Sequence, residues 1–192
     1  MSEIAVVYHS TTGTTRKLAE AVRAGAASVT GARAALHEIR GAEIAEGRWK
    51  NDALLAALDA ADAIVFGCPT FMGGPSAQLK AFLDASVSRW YSRAWAGKLA
   101  AAFTVSTTPS GDKLQTLDAI FVTAMQHGML WVGLDQSPLN PKQLNRLGVY
   151  VGVAAQPDYA SVPPGVIAAD LQTGELLGER VAKLALRLRA SA

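Results

Sequence analysis

The stretch IAVVYHSTTGTTRKLAEAV, residues 4–22, joins three different patterns without a break. A short apolar run comes first, followed by a loop with four threonines, one serine and one glycine, and then by a segment of alternating apolar and charged residues. The apolar run favours a buried strand. Apolar residues at steps of four and three favour an amphipathic helix. We therefore predict a strand that leads through a hydroxyl-rich loop into a helix.

The rest of the chain repeats this alternation of strand and helix. Helical spacing recurs near the end, where Leu177, Val181 and Leu184 share one face. Strands that alternate with helices predict a parallel sheet covered on both faces, which is a three-layer α/β fold. The predicted strands are Ile4–His9, Ala34–Ile39, Ala63–Gly67, Leu99–Ser106 and Leu130–Leu134.

The length of the chain predicts a single domain that spans residues 1–192. One segment, residues 135–165, breaks the alternation because it holds five of the eight prolines and lacks a helical period. We interpret it as a long Pro-rich surface excursion before the C-terminal helix. Long loops of this kind are often functional, but a segment that simply crosses the sheet edge would have the same composition.

Composition excludes several classes of function. The net charge is only +2, and the basic residues are scattered, so neither nucleic acid nor a membrane surface is an expected partner. The opening MSEIAVVY lacks the pattern of an export signal. A single cysteine, Cys68, excludes an internal disulfide and is typical of the reducing cytoplasm. The spacing of metal-ligand residues indicates no metal site.

The loop after the first strand offers hydrogen-bond donors and no carboxylate. Ser10, Thr12, Thr14 and Thr15 supply hydroxyl groups, and Gly13 allows a sharp backbone turn. The loop opens a helix, whose first N–H groups are unpaired and carry partial positive charge. Together these features favour an anion such as a phosphate, although an ordinary polar helix cap would share part of the pattern.

Familiar phosphate-binding motifs are missing from this loop. The sequence contains no GxxxxGK[ST], which excludes a nucleoside-triphosphate loop, and no GxGxxG follows the first strand, which excludes the dinucleotide fingerprint. A phosphoacceptor domain of the same topology would need acidic residues where this chain has His9, Ser10 and Thr11. A phosphate bound by this loop would therefore belong to a ligand other than a nucleoside triphosphate or a dinucleotide.

Two further loops follow predicted strands, and both should lie at the same edge of the sheet. One is GCPTFMGGP, residues 67–75, and the other is STTPSGD, residues 106–112. In open parallel sheets, ligands bind beyond the carboxyl ends of the strands. Gly73 and Gly74 permit a close approach of the backbone to a flat ligand. A phosphate loop beside such a loop favours flavin mononucleotide (FMN).

Four stretches of the chain resemble a known family. HSTTGTT is similar to the flavodoxin phosphate loop, and GCPTFMGGPSAQLKAFLD resembles a block of the WrbA-type NAD(P)H:quinone oxidoreductases. KLAAAFTVST and QHGMLWVGL resemble the fourth strand and the start of the fifth strand of that family. The resemblance runs from about residue 3 to residue 134. It implies a flavodoxin-like fold with a five-stranded parallel sheet of order 2-1-3-4-5.

The resemblance also implies a set of residues for the FMN site. The phosphate would be held by Ser10, Thr11, Thr12, Gly13, Thr14 and Thr15. The ribityl chain and one edge of the ring would contact Pro69, Thr70, Phe71, Met72 and Gly73. The other edge of the ring would be lined by Ser106, Thr107, Thr108, Pro109, Ser110 and Gly111.

The same resemblance assigns three residues to the substrate side of the flavin. Trp90 stands where the family places an aromatic wall that usually reaches across to a neighbouring subunit. Gln126 and His127 stand where the family often has two histidines, the first of which touches the flavin. Gln126 can donate a hydrogen bond to a flavin oxygen, but it does not titrate near neutral pH.

The implied function is an FMN enzyme that takes a hydride from NAD(P)H and passes two electrons to a quinone-like acceptor in a ping-pong reaction. The implied assembly is a homotetramer. Two alternatives remain open, namely a flavodoxin-like electron carrier and a regulatory module that only uses the fold. A net charge of +2 argues against a carrier, because such carriers tend to be strongly acidic.

Side chains outside these loops have simpler interpretations. Trp90, Tyr91 and Trp95, flanked by arginines, are typical of an interface core, although they would equally fit a cap over the protein's own core. Cys68 has no histidine paired with it by any motif, so we interpret it as a small buried filler. His9, the residue before the phosphate loop, is interpreted as a packing residue.

Overall fold

A parallel sheet with five strand positions organises the computed structural model, which describes residues 1–190. Its order is β2-β1-β3-β4, and the fifth position beside β4 is shared by two short strands, β5 and β6. The order 2-1-3-4-5 is therefore confirmed, with a fifth strand in two pieces. The strands are β1 (Ser2–Tyr8), β2 (Ala32–Glu38), β3 (Ala63–Phe71), β4 (Leu99–Val105), β5 (Leu130–Trp131) and β6 (Val153–Ala155).

Helices cover both faces of this sheet. α1 and α6 pack against one face, while α2, α3 and α5 pack against the other. Within residues 1–190, no helix combines the length and the apolar composition needed to cross a membrane. The helices are α1 (Thr14–Ala27), α2 (Asp52–Ala60), α3 (Ala77–Ala85), α4 (Val87–Tyr91), α5 (Lys113–Gln126) and α6 (Ala168–Ala190).

The central strands are buried on both faces, which explains their continuous apolar sequence. In β1, Ile4 and Val6 face the core under α1 and α6, whereas Ala5 and Val7 face the opposite core. On the first side α1 and α6 approach closely, because a Cβ at Gly178 would lie only 1.9 Å from the carbonyl oxygen of Val22. This contact locks the first helix, and with it the loop that precedes it, against the last helix.

The segment 135–165 is only partly a surface excursion, which corrects the interpretation of the sequence. Val153–Ala155 forms β6 inside the sheet, and Val153 and Ala155 are fully buried. A second short ladder pairs Pro157–Asp158 with Gly165–Val166. The predicted strand Leu130–Leu134 is shorter than expected, because the chain leaves the sheet after Trp131 and returns to complete the same position with β6.

Candidate functional site

Three loops meet at the end of the sheet where the strands finish. We call this region the carboxyl edge and define it as residues 9–15, 69–75 and 106–112. The first two loops are joined by His9, whose Nδ1 lies 3.0 Å from the Oγ of Ser76. The second and third loops approach at Gly73, where an added Cβ would lie 3.8 Å from the Cβ of Asp112. The loops singled out in the sequence therefore form one continuous surface.

The first loop is organised around the hydroxyl of Ser10. Its Oγ accepts hydrogen bonds from the amides of Gly13 at 3.1 Å and Arg16 at 3.3 Å. Gly13 has a φ of 89°, a left-handed conformation that favours glycine, and α1 begins at the next residue. The first turn of α1 contains no acidic residue, so nothing there opposes the partial positive charge of the helix terminus.

The other hydroxyls of this loop surround the same helix terminus. Thr11 and Thr12 are exposed, whereas Thr14 and Thr15 are buried. The Oγ1 atoms of Thr12 and Thr14 lie 3.2 Å apart. The amides of Thr14 and Thr15 belong to the first helical turn, which offers no intrahelical acceptor for them. Hydroxyls and amides without a carboxylate are the donor set that a phosphate dianion requires.

The second loop is a tight hairpin at the end of β3. Phe71 pairs with Gly74, and the two residues between them, Met72 and Gly73, have φ values of 46° and 76°. Positive φ at both central positions is typical of a type I′ turn. The side chain of Met72 is fully exposed, and Phe71 is half exposed. The hairpin therefore presents two apolar side chains and a glycine to the outside of the carboxyl edge.

Thr70 is directed into the protein rather than outward. Its Oγ1 lies 2.8 Å from the Oγ1 of Thr104 and donates to the Oγ1 of Thr116, also at 2.8 Å. Thr104 in turn donates to the carbonyl of Cys68 at 2.8 Å. This buried hydroxyl cluster joins β3, β4 and α5 beneath the loops. The side chain of Thr70 therefore stabilises the base of the edge, which leaves its backbone as the part that faces a ligand.

The third loop turns back on itself before α5 begins. Gly111 and Asp112 both have positive φ, 50° and 52°. The loop folds over Ser106, since a Cβ at Gly111 would lie only 2.2 Å from the Ser106 Oγ. That oxygen is buried and, in the part of the chain that the structure describes, has no hydrogen-bond partner. The residues between, Thr107 to Ser110, are exposed and available to a ligand.

A buried polar network beneath this loop was missed by the sequence interpretation. Lys113 is only 1% exposed, and its Nζ donates to the carbonyls of Thr108 and Pro109. Burial lowers the pKa of Lys113 to about 8, an effect that Asp170 opposes and Arg146 reinforces. A lysine at the start of a helix ordinarily lies in solvent, so the sequence carried no local signal for this arrangement.

Arg146 and Asp170 complete the network. The guanidinium of Arg146 binds both carboxylate oxygens of Asp170 at 2.8 Å and donates to Gln156 at 2.7 Å. Gln156 reaches the third loop, where its Nε2 donates to the carbonyl of Thr107 at 2.8 Å. The segment after β6 and the start of α6 are thereby fastened to the loop.

Trp90, Gln126 and His127 lie together, but not with the loops. They line a cleft of about 280 Å³ with Ser86. α5 starts directly after the third loop and runs for 14 residues before it reaches His127, a length of about 20 Å. The cleft is therefore at the opposite end of the sheet, which we call the amino edge and define as residues 59–62, 86–98 and 123–130. Within one chain these three residues do not reach the carboxyl edge.

The predicted aromatic cluster divides into two parts. Trp95 is fully buried and packs in the core beside Phe66 and Phe82, with ring centroids 6.5 Å from each. Trp90 and Tyr91 remain 42% and 77% exposed and contact each other edge to face. Of the two interpretations that the sequence left open, packing on the protein's own core is correct for Trp95, whereas Trp90 and Tyr91 remain on the surface.

His127 is a buried imidazole that packs under the amino edge. The hydroxyl of Ser86 donates to the carbonyl of Leu83, so the 2.9 Å contact between that hydroxyl and the His127 Nε2 requires the ring to donate from Nε2. The Nδ1 is buried and has no hydrogen-bond partner among the described residues. Burial, reinforced by Arg93, lowers the pKa of His127. Its ring packs 4.6 Å from that of Trp95, and so it supports the segment that carries Trp90.

Two titratable side chains near the loops are structural, as the sequence predicted. Cys68 is fully buried, and burial raises the pKa of its thiol to about 12. His9 is buried beside Ser76, and burial lowers its pKa. Among residues 1–190, no group of three or more His, Cys, Asp or Glu side chains is placed to hold a metal ion.

Known proteins of similar sequence and structure extend over nearly the whole chain. A flavodoxin, FldP, of Pseudomonas aeruginosa is 35% identical and covers 99% of this chain and 100% of its own. An NAD(P)H dehydrogenase (quinone) of Archaeoglobus fulgidus is 36% identical over 98% of this chain and 100% of its own. The crystal structure of a WrbA-like flavodoxin from Agrobacterium tumefaciens is 42% identical, with a TM-score of 0.75 over 97% of this chain and 99% of that one.

Residues 3–140 match the family of NADPH-dependent FMN reductases, which is most of the chain. This match covers the three loops of the carboxyl edge. The flavodoxin-like fold and the WrbA-type resemblance inferred from the sequence are both confirmed by it and by the structure of the Agrobacterium protein. The chain therefore belongs to the NADPH-dependent FMN reductase family and is an FMN-dependent NAD(P)H oxidoreductase.

Proposed function

We propose that this oxidoreductase binds FMN at the carboxyl edge and passes electrons from NAD(P)H to a quinone-class acceptor. The observation that carries the FMN site is the first loop, where hydroxyls and helix amides converge without a carboxylate. The acceptor class is supported by relatives from several organisms that are named NAD(P)H dehydrogenase (quinone).

The phosphate of FMN would be bound by residues 10–15. The amides of Thr14 and Thr15 and the hydroxyls of Thr12 and Thr14 are its donors. Ser10 acts indirectly, because its hydroxyl already accepts from two amides and so fixes the turn at Gly13. A phosphate at this position would accept hydrogen bonds from the N–H groups of the first helical turn, which have no acceptor within the helix.

The ribityl chain and the ring would contact the other two loops. Pro69, the backbone of Thr70, and the tip formed by Phe71, Met72 and Gly73 supply one side. Residues 106–111 supply the other, with exposed backbone from Thr107 to Ser110. Apolar side chains at the hairpin tip and polar backbone in the third loop match a ring with an apolar face and a polar edge.

FMN, when bound, supplies the hydride chemistry itself. The chain's residues have the tasks of binding the cofactor, orienting it and keeping water from one face. A hydride that passes directly between the nucleotide and the flavin would need no general base from the chain. If one face of the flavin ring lies against the protein, only the other face is open. NAD(P)H and the acceptor would then use that face in turn.

The amino edge would act on a neighbouring subunit. Trp90, Gln126 and His127 are far from the FMN loops of their own chain, so any contact they make with a flavin must cross an interface. Exposed Trp90 and Tyr91 beside Arg93 are residue types enriched in interface cores. We propose a homotetramer, since closed symmetry is common among soluble homo-oligomers. Sedimentation equilibrium at low micromolar protein tests it, and a fully active monomer would disprove it.

Steady-state kinetics test the function. The purified protein, loaded with FMN, is assayed with NADH or NADPH against a benzoquinone at several concentrations of each. We expect parallel double-reciprocal lines, the pattern of a ping-pong reaction. Intersecting lines would contradict the shared open face. If neither NADH nor NADPH reduces the bound FMN, the proposed quinone-reductase function is wrong.

The electron-carrier alternative is favoured by one observation, the similarity to the flavodoxin of Pseudomonas aeruginosa. The same reduction experiment separates the two functions. A carrier would hold FMN and accept electrons from a partner reductase, but it would not be reduced by NAD(P)H directly at a catalytic rate. The net charge of +2 argues against a carrier, because such carriers tend to be strongly acidic.

A further inference from the structure

Lys113 occupies a position that is costly for a charged side chain. It is the first residue of α5 and is 1% exposed. Burial of an ammonium group is unfavourable unless its N–H groups are satisfied. The acceptors here are the carbonyls of Thr108 and Pro109, both in the third loop of the carboxyl edge. The one buried lysine among residues 1–190 is thus bonded to the loop that precedes its own helix.

These two bonds determine which way the loop's peptide groups face. A trans peptide is planar, with its C=O and N–H pointing in opposite directions. Because the carbonyl of Pro109 accepts from Lys113 at 3.2 Å, the amide N–H of Ser110 must point away from the ammonium group. The peptide before it, between Thr108 and Pro109, has no N–H at all, so turning its carbonyl inward leaves no donor unsatisfied.

Other bonds fix the start of the loop: the hydroxyl of Thr107 lies 3.1 Å from that of Tyr159, and the amide of Ser106 donates to the carbonyl of Ala155 at 3.2 Å. Thr107, Thr108, Pro109 and Ser110 are all exposed. Apart from the Lys113 bonds, Gln156 binds the carbonyl of Thr107 at 2.8 Å, and α5 itself begins with a 3.2 Å bond from the Lys113 amide to the carbonyl of Ser110. Lys113 therefore holds both the middle and the end of the loop.

We propose that Lys113 is a positioning residue for the cofactor: it fixes residues 106–111 in the conformation that presents the Ser110 amide to the polar edge of the flavin ring. The inference rests on the proposed FMN site. The ring edge carries carbonyl oxygens that accept hydrogen bonds, and a loop held in advance binds them without an ordering cost. Lys113 acts through the loop and does not touch the ligand.

The test uses two ligands that share the ring and differ in the phosphate. The dissociation constants of FMN and riboflavin are measured on the full-length apoprotein by flavin fluorescence quenching. In Lys113→Met we expect both constants to rise by a similar factor, about tenfold. Lys113→Gln, which keeps an amide donor, should fall between this variant and the wild type. Lys50→Met, at an exposed lysine, is the matched control and should change neither constant.

A second variant separates this inference from the proposed site. Thr12→Val combined with Thr14→Val should weaken FMN and leave riboflavin unchanged. If that variant behaves so while Lys113→Met binds both flavins normally, the role of Lys113 is wrong and the FMN site stands. If neither variant changes FMN affinity, the FMN site itself is wrong.

Stability of the apoprotein distinguishes positioning from a purely structural role. Lys113→Met removes a buried charge whose desolvation is unfavourable, and the two carbonyls it releases belong to the exposed residues Thr108 and Pro109, where water can replace the lost donor. We therefore expect the urea midpoint of apo Lys113→Met to be no lower than that of the wild type. A lower midpoint together with the loss of both flavins would assign Lys113 a structural role and overturn the inference.

Discussion

At the carboxyl edge the polar side chains beneath the loops are buried and hydrogen-bonded to one another, whereas at the amino edge large aromatic side chains face outward. Thr70 and Lys113 illustrate the first arrangement, since each uses its polar atoms to hold neighbouring elements. Trp90 and Tyr91 illustrate the second, because they pack mainly on each other. The polar atoms at the carboxyl edge are thus used to order the loops, whereas the amino edge leaves apolar rings at the surface.

The distance between the two edges determines how they could serve one function. A helix of 14 residues, about 20 Å, stands between the third loop and His127. No side-chain movement within one chain spans that length. If the aromatic residues of the amino edge contribute to substrate binding, they do so on the carboxyl edge of another subunit, and each edge becomes half of a site.

The largest effect is expected from removing the phosphate donors of the carboxyl edge. Thr12→Val with Thr14→Val removes two hydroxyl donors to a charged acceptor, each worth about 1.5 to 3 kcal/mol. FMN affinity should fall about 100-fold or more, and riboflavin affinity should not change. Fluorescence titration measures both. Thr30→Val, at an exposed turn, is the control, and equal losses for the two ligands would locate the phosphate elsewhere.

A smaller effect should follow from a change at the amino edge. Trp90→Ala should raise the KM for a benzoquinone about tenfold, a typical loss for a large aromatic contact residue. FMN should stay bound, because the proposed contacts to the cofactor come from the three loops, whereas Trp90 would face only the substrate side of a neighbouring subunit's ring. Steady-state kinetics and FMN titration are run together, with Tyr150→Ala as a control at another exposed aromatic residue. An unchanged KM in an oligomeric protein would make Trp90 irrelevant to the acceptor.

The support of the amino edge can be weakened without removing its aromatic residues. Asp59 accepts hydrogen bonds from the Arg89 guanidinium and, at 2.8 Å, from the indole N–H of Trp95. Asp59→Asn should lower the free energy of unfolding by about 1 kcal/mol, since the bonds lose their charge assistance. Urea unfolding measures this, with Glu46→Gln at an exposed acid as control. A simultaneous loss of FMN affinity would show that the two edges are coupled within one chain.

The smallest functional effect is expected at Cys68, which lies near the carboxyl edge but outside the proposed site. Cys68→Ala should leave FMN affinity unchanged, and the native thiol should resist iodoacetamide at pH 8, because burial raises its pKa to about 12. The raised pKa stabilises the fold below pH 9, and this contribution is lost as the pH rises from 9 to 12. Cys68→Ala should flatten that decline. Rapid labelling of the folded protein would contradict the burial.

Local patterns in the sequence predicted most of the carboxyl edge. Each of three elements is determined by residues that are close together in the sequence, so the residue types alone were enough to predict it. These elements are β1, the loop of residues 9–15 and the start of α1. The burial of Lys113 could not be predicted in this way, because it arises only in the folded chain, where Arg146 and Asp170 from distant segments lie near enough to affect its pKa.

Two features of the structure depend on contacts between distant parts of the chain, which no local sequence pattern predicts. β6 is a run of three small apolar residues, too short to indicate a strand until it is seen beside β4. Trp90 lies in the five-residue helix α4 and Trp95 in the turn that follows it, a segment too short for a helical period to separate buried from exposed positions. The division of the aromatic residues between core and surface therefore had to come from the structure.

The split fifth strand offers a practical opportunity for protein engineering. The chain leaves the sheet at Val132, whose amide binds the carbonyl of Ala100 at 2.7 Å, and returns at Gly152, which passes against the carbonyl of Ala102. Its departure and return lie two residues apart on β4, and each doubling of a flexible loop costs only about 0.6 kcal/mol. A reporter domain inserted at the exposed tip near Leu139 would lengthen this loop without changing the pairing of the strands in the sheet.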